Sequence, residues 1–332
     1  MRCPYSQYHQ RVMATYIDPL ELPEPMSVEE ARQQRLAWQI EAKPLFCELE
    51  VDSDGTSIML PVIQSVALVR SDTCEVLGLV SPSYQVVQPS DFWDMLEGVC
   101  QATGGKVVSA GEMDKSRLQY AAVEFGAPYT SLGVEYRKRI SLLSGADGKT
   151  SLLPIACTTS SETMIVSTSK DKCRFKPVKH SGDIQAKQEQ LVSAAVQAVN
   201  KVSLHQQRLE EWERRRIKSF TLFRQFIREH VFGLEEDFLD QENSGGIISQ
   251  FETIEDLCVR RAQKVGCCET NLQNAFLACN FFFDHFLNKS QRAVDALPDD
   301  MRLKHRISGP TYDKKVRTFL AFVHQSKGIS TT

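Results

Sequence analysis

The sequence predicts an α+β fold, a mainly antiparallel sheet with a packed helix, followed by a long helix and a C-terminal helical region. Three observations predict it. Apolar residues alternate from Val66 to Arg70 and resume from Val76 to Val80 across a polar Ser71-Asp72-Thr73 turn, the period-2 signature of a hairpin. After Pro89-Ser90-Asp91, the residues Phe92, Met95, Leu96 and Val99 recur at helical spacing, so this helix lays one face on the hairpin. Beyond Ile184 the pattern becomes helical as far as Val231, with Leu191, Ala195, Val202, Leu209, Trp212 and Ile217 separated by charged and amide residues. The organisation read from this is an N-terminal arm and short helix over 1–44, an α+β core over 45–182, a long helix over 183–242 and a helical region over 243–332.

Taken in order, the chain starts with little periodicity. Pro19 to Pro25 alternates proline with acids and reads as an arm or linker. Ser27 and Glu30 have the spacing of a capping box, which opens a short helix toward Ile40 that buries Leu36 or Trp38. Phe46–Val51 and Ile58–Val62 flank Asp52-Ser53-Asp54-Gly55 and form a first hairpin; the loop lacks the later oxygen ligands of a calcium site, and Asp-Gly is an ordinary hairpin turn. Pro89 suits the first turn of the next helix, with Ser90 or Asp91 as its cap. Strands follow at Lys106–Ala110, Leu118–Phe125, Glu135–Ser144 and Ser151–Cys157. A helix as long as the one from Ile184 cannot be a single buried element: it crosses the sheet domain and projects, or pairs with a partner helix. Past Asn243-Ser244-Gly245-Gly246, helices are expected around 254–265, 272–287 and 314–325. The dense run from Phe276 to Phe286 predicts burial nearly all round.

Composition narrows the function classes. The chain has 332 residues, 42% of them hydrophobic, which is enough for an ordinary packed core. Its net charge of -3 gives no global pull toward nucleic acid or anionic lipid, so any electrostatic binding comes from local patches. Ten cysteines without framework spacing point to reduced thiols and a cytoplasmic protein. No segment reaches the roughly 20 apolar residues of a membrane span, and no leader-like apolar run opens the chain. Cys258, Cys267, Cys268, Cys279 and His285 include no CxxC pair and read as buried thiols in a helical core, so no metal is expected. There is no nucleophile elbow, P-loop or GxGxxG after a strand, so no cofactor and no catalytic residue is assigned.

Several segments together carry a resemblance. Val69-Arg70-Ser71-Asp72, Val76-Leu77-Gly78-Leu79-Val80 and Tyr84-Gln85-Val86-Val87-Gln88 come first. Ala110-Gly111, the apolar run Leu118–Phe125, Ser144-Gly145-Ala146-Asp147-Gly148 and Lys179-His180-Ser181-Gly182 follow before the long helix. In this order they resemble the phage/plasmid-like family called domain of unknown function 932, over about residues 60–290. Two positions depart from that pattern. Family members usually carry Asn where Pro89 stands, and a Cys-x-Asn-Thr-Leu segment where this chain has Ser160-Ser161-Glu162-Thr163-Met164. If the replaced Cys and Asn were chemical groups, that chemistry is absent; if they were packing and turn residues, little changes.

Positive charge concentrates in three places. Arg137, Lys138 and Arg139 lie on a predicted strand, with Tyr136 beside them. Lys170, Lys172, Arg174, Lys176, Lys179 and His180 lie in an extended segment around Phe175. Arg214, Arg215, Arg216 and Lys218 lie on the long helix, where Glu210, Glu211 and Glu213 favour ordinary surface ion pairs. Cations for phosphates and an aromatic face for a base are what a nucleic-acid groove needs. The first two clusters, with Phe175 or Tyr136 as a stacking platform, are therefore the candidate nucleic-acid-binding residues. The order hairpin, helix, antiparallel strands, long helix looks like the core of single-strand annealing proteins of the phage recombinase and eukaryotic Rad fifty-two type. What this implies is a non-catalytic protein that binds and anneals single-stranded DNA in replication or recombination, works without ATP and forms homo-oligomers. The alternative is a protein–protein interaction or regulatory module of a mobile element that binds no nucleic acid. A nuclease with an unseen carboxylate site is a further rival.

Overall fold

The structure is a computed structural model that describes residues 18–50, 57–166, 184–234, 245–264, 270–286, 299–308 and 310–331. Strand β1 (Glu21–Met26) occupies the proline- and acid-rich stretch expected to be a linker. It is an edge strand, paired antiparallel with β5 (Lys106–Met113), and an edge is where Pro23 and Pro25 cost the fewest ladder bonds. Helix α1 (Val28–Gln34) has the predicted capping box, with Glu30 N–H donating to Ser27 Oγ and Ser27 N–H to Glu30 Oε2. It is shorter than expected. Leu36 turns through φ 54°, and both Leu36 and Trp38 are buried.

The two predicted hairpins share a strand. β2 (Ile40–Glu50) pairs with β3 (Ser57–Arg70), and β3 pairs with β4 (Val76–Val80). The expected separation between Val62 and Val66 is a bulge inside β3, because Pro44 pairs with Val66 while its neighbour Leu45 pairs with Val62. Gly78 of β4 lies against the Ala146-Asp147-Gly148 turn: a Cβ there would stand 2.3 Å from the Asp147 carbonyl oxygen. The glycine strand and the glycine turn that carry the family resemblance are thus one contact.

Helix α2 (Pro89–Thr103) buries Phe92, Trp93, Met95, Leu96 and Val99. Its cap is Gln88, two residues before Ser90 and three before Asp91, the two expected caps. Asp91 accepts the Gln88 N–H at 2.9 Å, while the Gln88 side chain bonds both backbone groups of Ile40 at 2.9 Å. That amide fastens the helix start to β2. The helix shares an apolar cluster with Leu68, Leu77 and Val80 of the small sheet, yet its main packing partners are α3 (Ile184–Arg214) and the large sheet.

The large sheet is antiparallel throughout, in the order β1-β5-β6-β8-β9-β10, with β6 Leu118–Glu124, β8 Val134–Gly145, β9 Leu153–Thr159 and β10 Met164–Val166; the short β7 (Tyr129–Ser131) pairs with the start of β8. Both faces are covered. Ala121, Val123, Ile140 and Leu142 face the cluster shared with α2 and α3, whereas Leu118, Tyr120, Leu143 and Ile155 face Leu303 and Ile307 of α7 (Asp299–Ser308) and Tyr312 of α8 (Pro310–Gln325).

The long helix expected over 184–231 is interrupted. After α3, residues 215–219 leave the helix, with Arg216 bridged to Asn271 and Ile217 to Ser330. α4 (Phe220–Phe226) then starts at the Ser219 cap and runs into a π-type turn over Ile227–Phe232. α3 is buried along one side by both bodies, with Leu191, Ala195 and Val202 in the aliphatic cluster and Leu209 and Trp212 in an aromatic one. That second cluster includes Phe223, Phe251, Phe276 and Phe322, drawn from α4, α5 (Gly245–Lys264), α6 (Leu272–His285) and α8. Every residue of α6 from Leu272 to Phe283 is buried, as its dense apolar run predicts.

Candidate functional site

Where the large sheet meets the helical region lies a cleft of about 780 Å³. Four features build its wall: the β7–β8 hairpin, the outer residues of β8, the turn between β9 and β10, and the facing ends of α5 and α6. The hairpin turns in two residues, Leu132 and Gly133, at φ 50° and 72°, the left-handed geometry that matches strand twist.

The strand pleat divides the basic triplet. Arg137 and Arg139 line the cleft, and Lys138 is not among its lining residues. Arg137 is half-exposed; its Nε donates to Glu135 at 2.9 Å, and Glu124 lies 3.8 Å away. Arg139 is 5% exposed and faces three carboxylates, Glu21 at 3.1 Å, Glu124 at 3.3 Å and Asp18 at 3.9 Å. Burial raises the Asp18 carboxyl above the ordinary range, against hydrogen bonds and the Arg139 charge that oppose it. Lys138 sits 5.6 Å from the ring of Tyr129, which is itself stacked on Tyr136 at 5.2 Å. Tyr136 is fully buried, so the ring expected to stack a base is a core residue; the partly exposed ring is Tyr129.

Two cations that sequence reading passed over complete the cleft. Arg261 and Lys264, on the last turn of α5, both bind Glu162, with Lys264 Nζ at 2.7 Å. Burial alone would raise the Glu162 carboxyl, and the charges of Arg261 and Lys264 outweigh it and hold it low. Asn274 of α6 also lines the cleft, and its buried Nδ2 has no hydrogen-bond partner among the described residues. Nothing in the sequence around Val259-Arg260-Arg261 shows that one arginine faces this space, because that depends on how α5 docks.

The segment Ser160–Met164 serves as turn and seam. Ser160 Oγ accepts the N–H groups of Glu162 and Thr163 at 3.2 and 3.3 Å, and Thr163 Oγ1 donates to Asp284 Oδ2 at 2.6 Å. Asp284 is fully buried, ion-paired to the fully buried Lys315 and 3.8 Å from Arg306, while Lys315 Nζ also donates to the Met164 carbonyl at 2.6 Å. Burial opposes the charged form of both partners, and the surrounding cations keep Asp284 ionised. In this chain the segment's Ser, Glu and Thr therefore hold strand to helix.

The second basic cluster, Lys170, Lys172, Arg174, Phe175, Lys176, Lys179 and His180, lies outside the described residues. It is the stretch between Val166, at the end of edge strand β10, and Ile184, where α3 begins. The third cluster pins the C-terminal segment: Arg215 donates to Ser330 Oγ at 2.5 Å and lies 3.6 Å from Glu211. Cys258 and Cys279 are buried in the aromatic cluster, where burial pushes both thiols up, and His285 bonds the Glu162 carbonyl at 3.0 Å. No described helix is long and apolar enough to cross a membrane.

Fold and cleft together define an α+β protein whose mixed-charge cleft sits at the seam between a fully covered antiparallel sheet and a helical body. The chain belongs to the family described as domain of unknown function (DUF932), whose model matches residues 76–270. That range takes in β4, α2, the large sheet from β5 onward, and the Arg261–Lys264 turn. No curated protein and no solved structure matches.

Proposed function

We propose that this protein binds nucleic acid, with single-stranded DNA as the ligand and strand annealing without ATP as the activity, through the cleft between β8 and α5. The observation that carries the reading is the convergence of Arg137, Arg139, Arg261 and Lys264, from elements about 120 residues apart in sequence, on one open space. Glu21, Glu135 and Glu162 line it too, so the described lining holds one cation more than carboxylates. A phosphodiester entering the cleft exchanges a carboxylate partner for a phosphate on Arg261 and Lys264. It gains a charge-assisted contact of similar kind and releases the counterions of the strand. Lys138 and the ring of Tyr129 lie on the other side of the β8 pleat, outside the cleft lining, and are no part of this contact. Lys170, Lys172, Arg174, Lys176 and Lys179 add phosphate contacts in the same proposal.

The test is fluorescence anisotropy of a labelled single-stranded oligonucleotide across a salt series, with and without magnesium. Binding is expected to weaken steeply with salt and to leave the oligonucleotide intact. Each cation lost from a single-strand site lowers the salt slope by about 0.7. R261A/K264A is therefore expected to flatten it by about 1.4, and K172A/R174A/K176A by about 2. Absence of binding at low salt, or slopes unchanged in both variants, would end the proposal; magnesium-dependent loss of the oligonucleotide would replace it with a nuclease.

A further inference from the structure

The cleft at the seam carries a sharper signature than an excess of positive charge. On its lining, two buried polar atoms have no hydrogen-bond partner among the described residues, Arg261 Nε and Asn274 Nδ2, and both are donors. No buried side-chain acceptor on that lining is left over. Asn274 is 1% exposed, so its amide carries the cost of a bond to water that was given up and not replaced. It is the third residue of α6, where the Leu272 N–H goes to the Arg215 carbonyl at 2.9 Å and the Asn274 N–H to the Asn271 cap at 2.8 Å. Those backbone amides are spent, and the side chain is the donor in surplus. What the cleft lacks is an acceptor.

The neighbouring cations say which acceptor. Arg261 and Lys264 converge on a single carboxylate, that of Glu162, so one of their two positive charges has no counterpart there. An internal phosphodiester brings one negative charge, as Glu162 does. A phosphomonoester brings about two charges near pH 7 and three strong acceptor oxygens. In place of the Glu162 carboxylate it balances both cations and has oxygens to spare for Arg261 Nε and Asn274 Nδ2. The space agrees: about 780 Å³ is the volume of a pocket for one small ligand, whereas a track for the interior of a strand runs over several nucleotides.

We propose that the cleft holds a phosphomonoester, the terminal phosphate of a single strand, on Arg261, Lys264 and Asn274, with Glu162 as the side chain that gives way. The inference rests on the nucleic-acid reading for the strand and on the donors alone for the phosphate. A nucleoside monophosphate or free phosphate shares that chemistry, and the experiment separates these sources.

Anisotropy with the full chain tests it, using one internally labelled oligonucleotide in three forms: 5′-phosphorylated, 3′-phosphorylated, and with hydroxyls at both ends. A phosphorylated form is expected to bind at least ~10-fold tighter than the hydroxyl form, the worth of one hydrogen bond to a charged group. Asn274→Ala is expected to bring that ratio close to one. Glu162→Gln is expected to raise affinity for the phosphorylated form ~10-fold, because it frees both cations; a merely structural Glu162 would give no gain. The second arm is calorimetric titration with adenosine monophosphate and with inorganic phosphate at matched ionic strength. Equal affinity for the three oligonucleotides, with neither small phosphate bound, would overturn the inference and leave the nucleic-acid reading standing. A small phosphate that binds and is lost in Asn274→Ala, with no oligonucleotide bound, would support the phosphate subsite and overturn the strand as its source. A phosphate preference unchanged in both variants would overturn the assignment to these residues, and no binding in either arm would overturn both readings.

Discussion

The seven-stranded and three-stranded sheets are both antiparallel and both rich in apolar residues, yet Leu118–Val123 is buried at every residue while Phe46–Glu50 is exposed at every residue. Strand propensity does not separate them. What separates them is whether later elements return: α2 and α3 close one face of the large sheet and α7 and α8 the other, whereas nothing described in the chain returns to the outer ribbon. One sheet is held by its own chain, and the other offers itself. The difference can be attacked from both sides.

The largest effect is expected where the large sheet meets its helices. Lys315→Ala leaves Asp284 buried without its closest cation and is expected to cost about 3–5 kcal/mol in urea unfolding. An apolar double replacement, Asp284→Leu with Lys315→Met, is expected to recover most of that loss, because no uncompensated charge stays behind. A loss under about 1 kcal/mol in the single variant would show that the seam does not depend on the pair. Next comes the sheet itself. Leu142→Ala opens a cavity under α2 and α3 and is expected to cost about 2–5 kcal/mol by the same measurement.

The sequence made these two sheets look alike for a physical reason. Alternation reports that a strand has faces, and it cannot report what covers them. Local devices were legible: the Ser27–Glu30 capping box, the Asp72 turn and the apolar face of α2 each depend on residues within a few positions. Contacts made at a distance were not. The break at residues 215–219 is set by bridges to Asn271 and Ser330, so the helical spacing that carries through to Ile217 gives no warning of it. Half of the candidate cleft was legible as Arg137 and Arg139 on a strand; its other half, Arg261 and Lys264, is placed by the docking of α5 on Glu162. The splitting of Lys138 from its neighbours follows from the pleat and could have been read at the start. Tyr136 was misread because a tyrosine on a strand shows no sign of which face is closed.

A third probe sharpens the contrast through pH. His205 on α3 is fully buried between Phe276 and Phe319, and burial depresses its pKa from the ordinary 6.5 to about 3. The unfolded chain takes up that proton below pH 6.5 while the folded chain does so only near 3. The stability held by the neutral ring is therefore complete above 6.5 and is lost as pH falls toward 3. The loss is about 1.4 kcal/mol per pH unit, hence about 2 kcal/mol at pH 5. His205→Leu is expected to remove this part of the acid sensitivity, read as a shallower fall of the urea midpoint between pH 6.5 and 4. Parallel pH profiles for parent and variant would mean that the ring is solvated.

The smallest effect belongs to the ribbon, and its dependence on concentration is the informative part. Leu60→Ser removes an apolar side chain that is 41% exposed and lies opposite Cys47 on the ribbon, outside the three buried clusters, so at about 0.1 μM it is expected to change unfolding free energy by no more than about 0.5 kcal/mol. Leu142→Ala, within the covered sheet, is expected to cost the same at every concentration. If a second copy covers the ribbon, the Leu60→Ser penalty grows with protein concentration, because mass action adds the stability of the dimer only to the chain that can form it. A constant penalty near zero would mean that the face stays bare. A constant penalty of several kcal/mol would mean that the ribbon is supported by its own chain, and that the two sheets differ less than their exposures indicate.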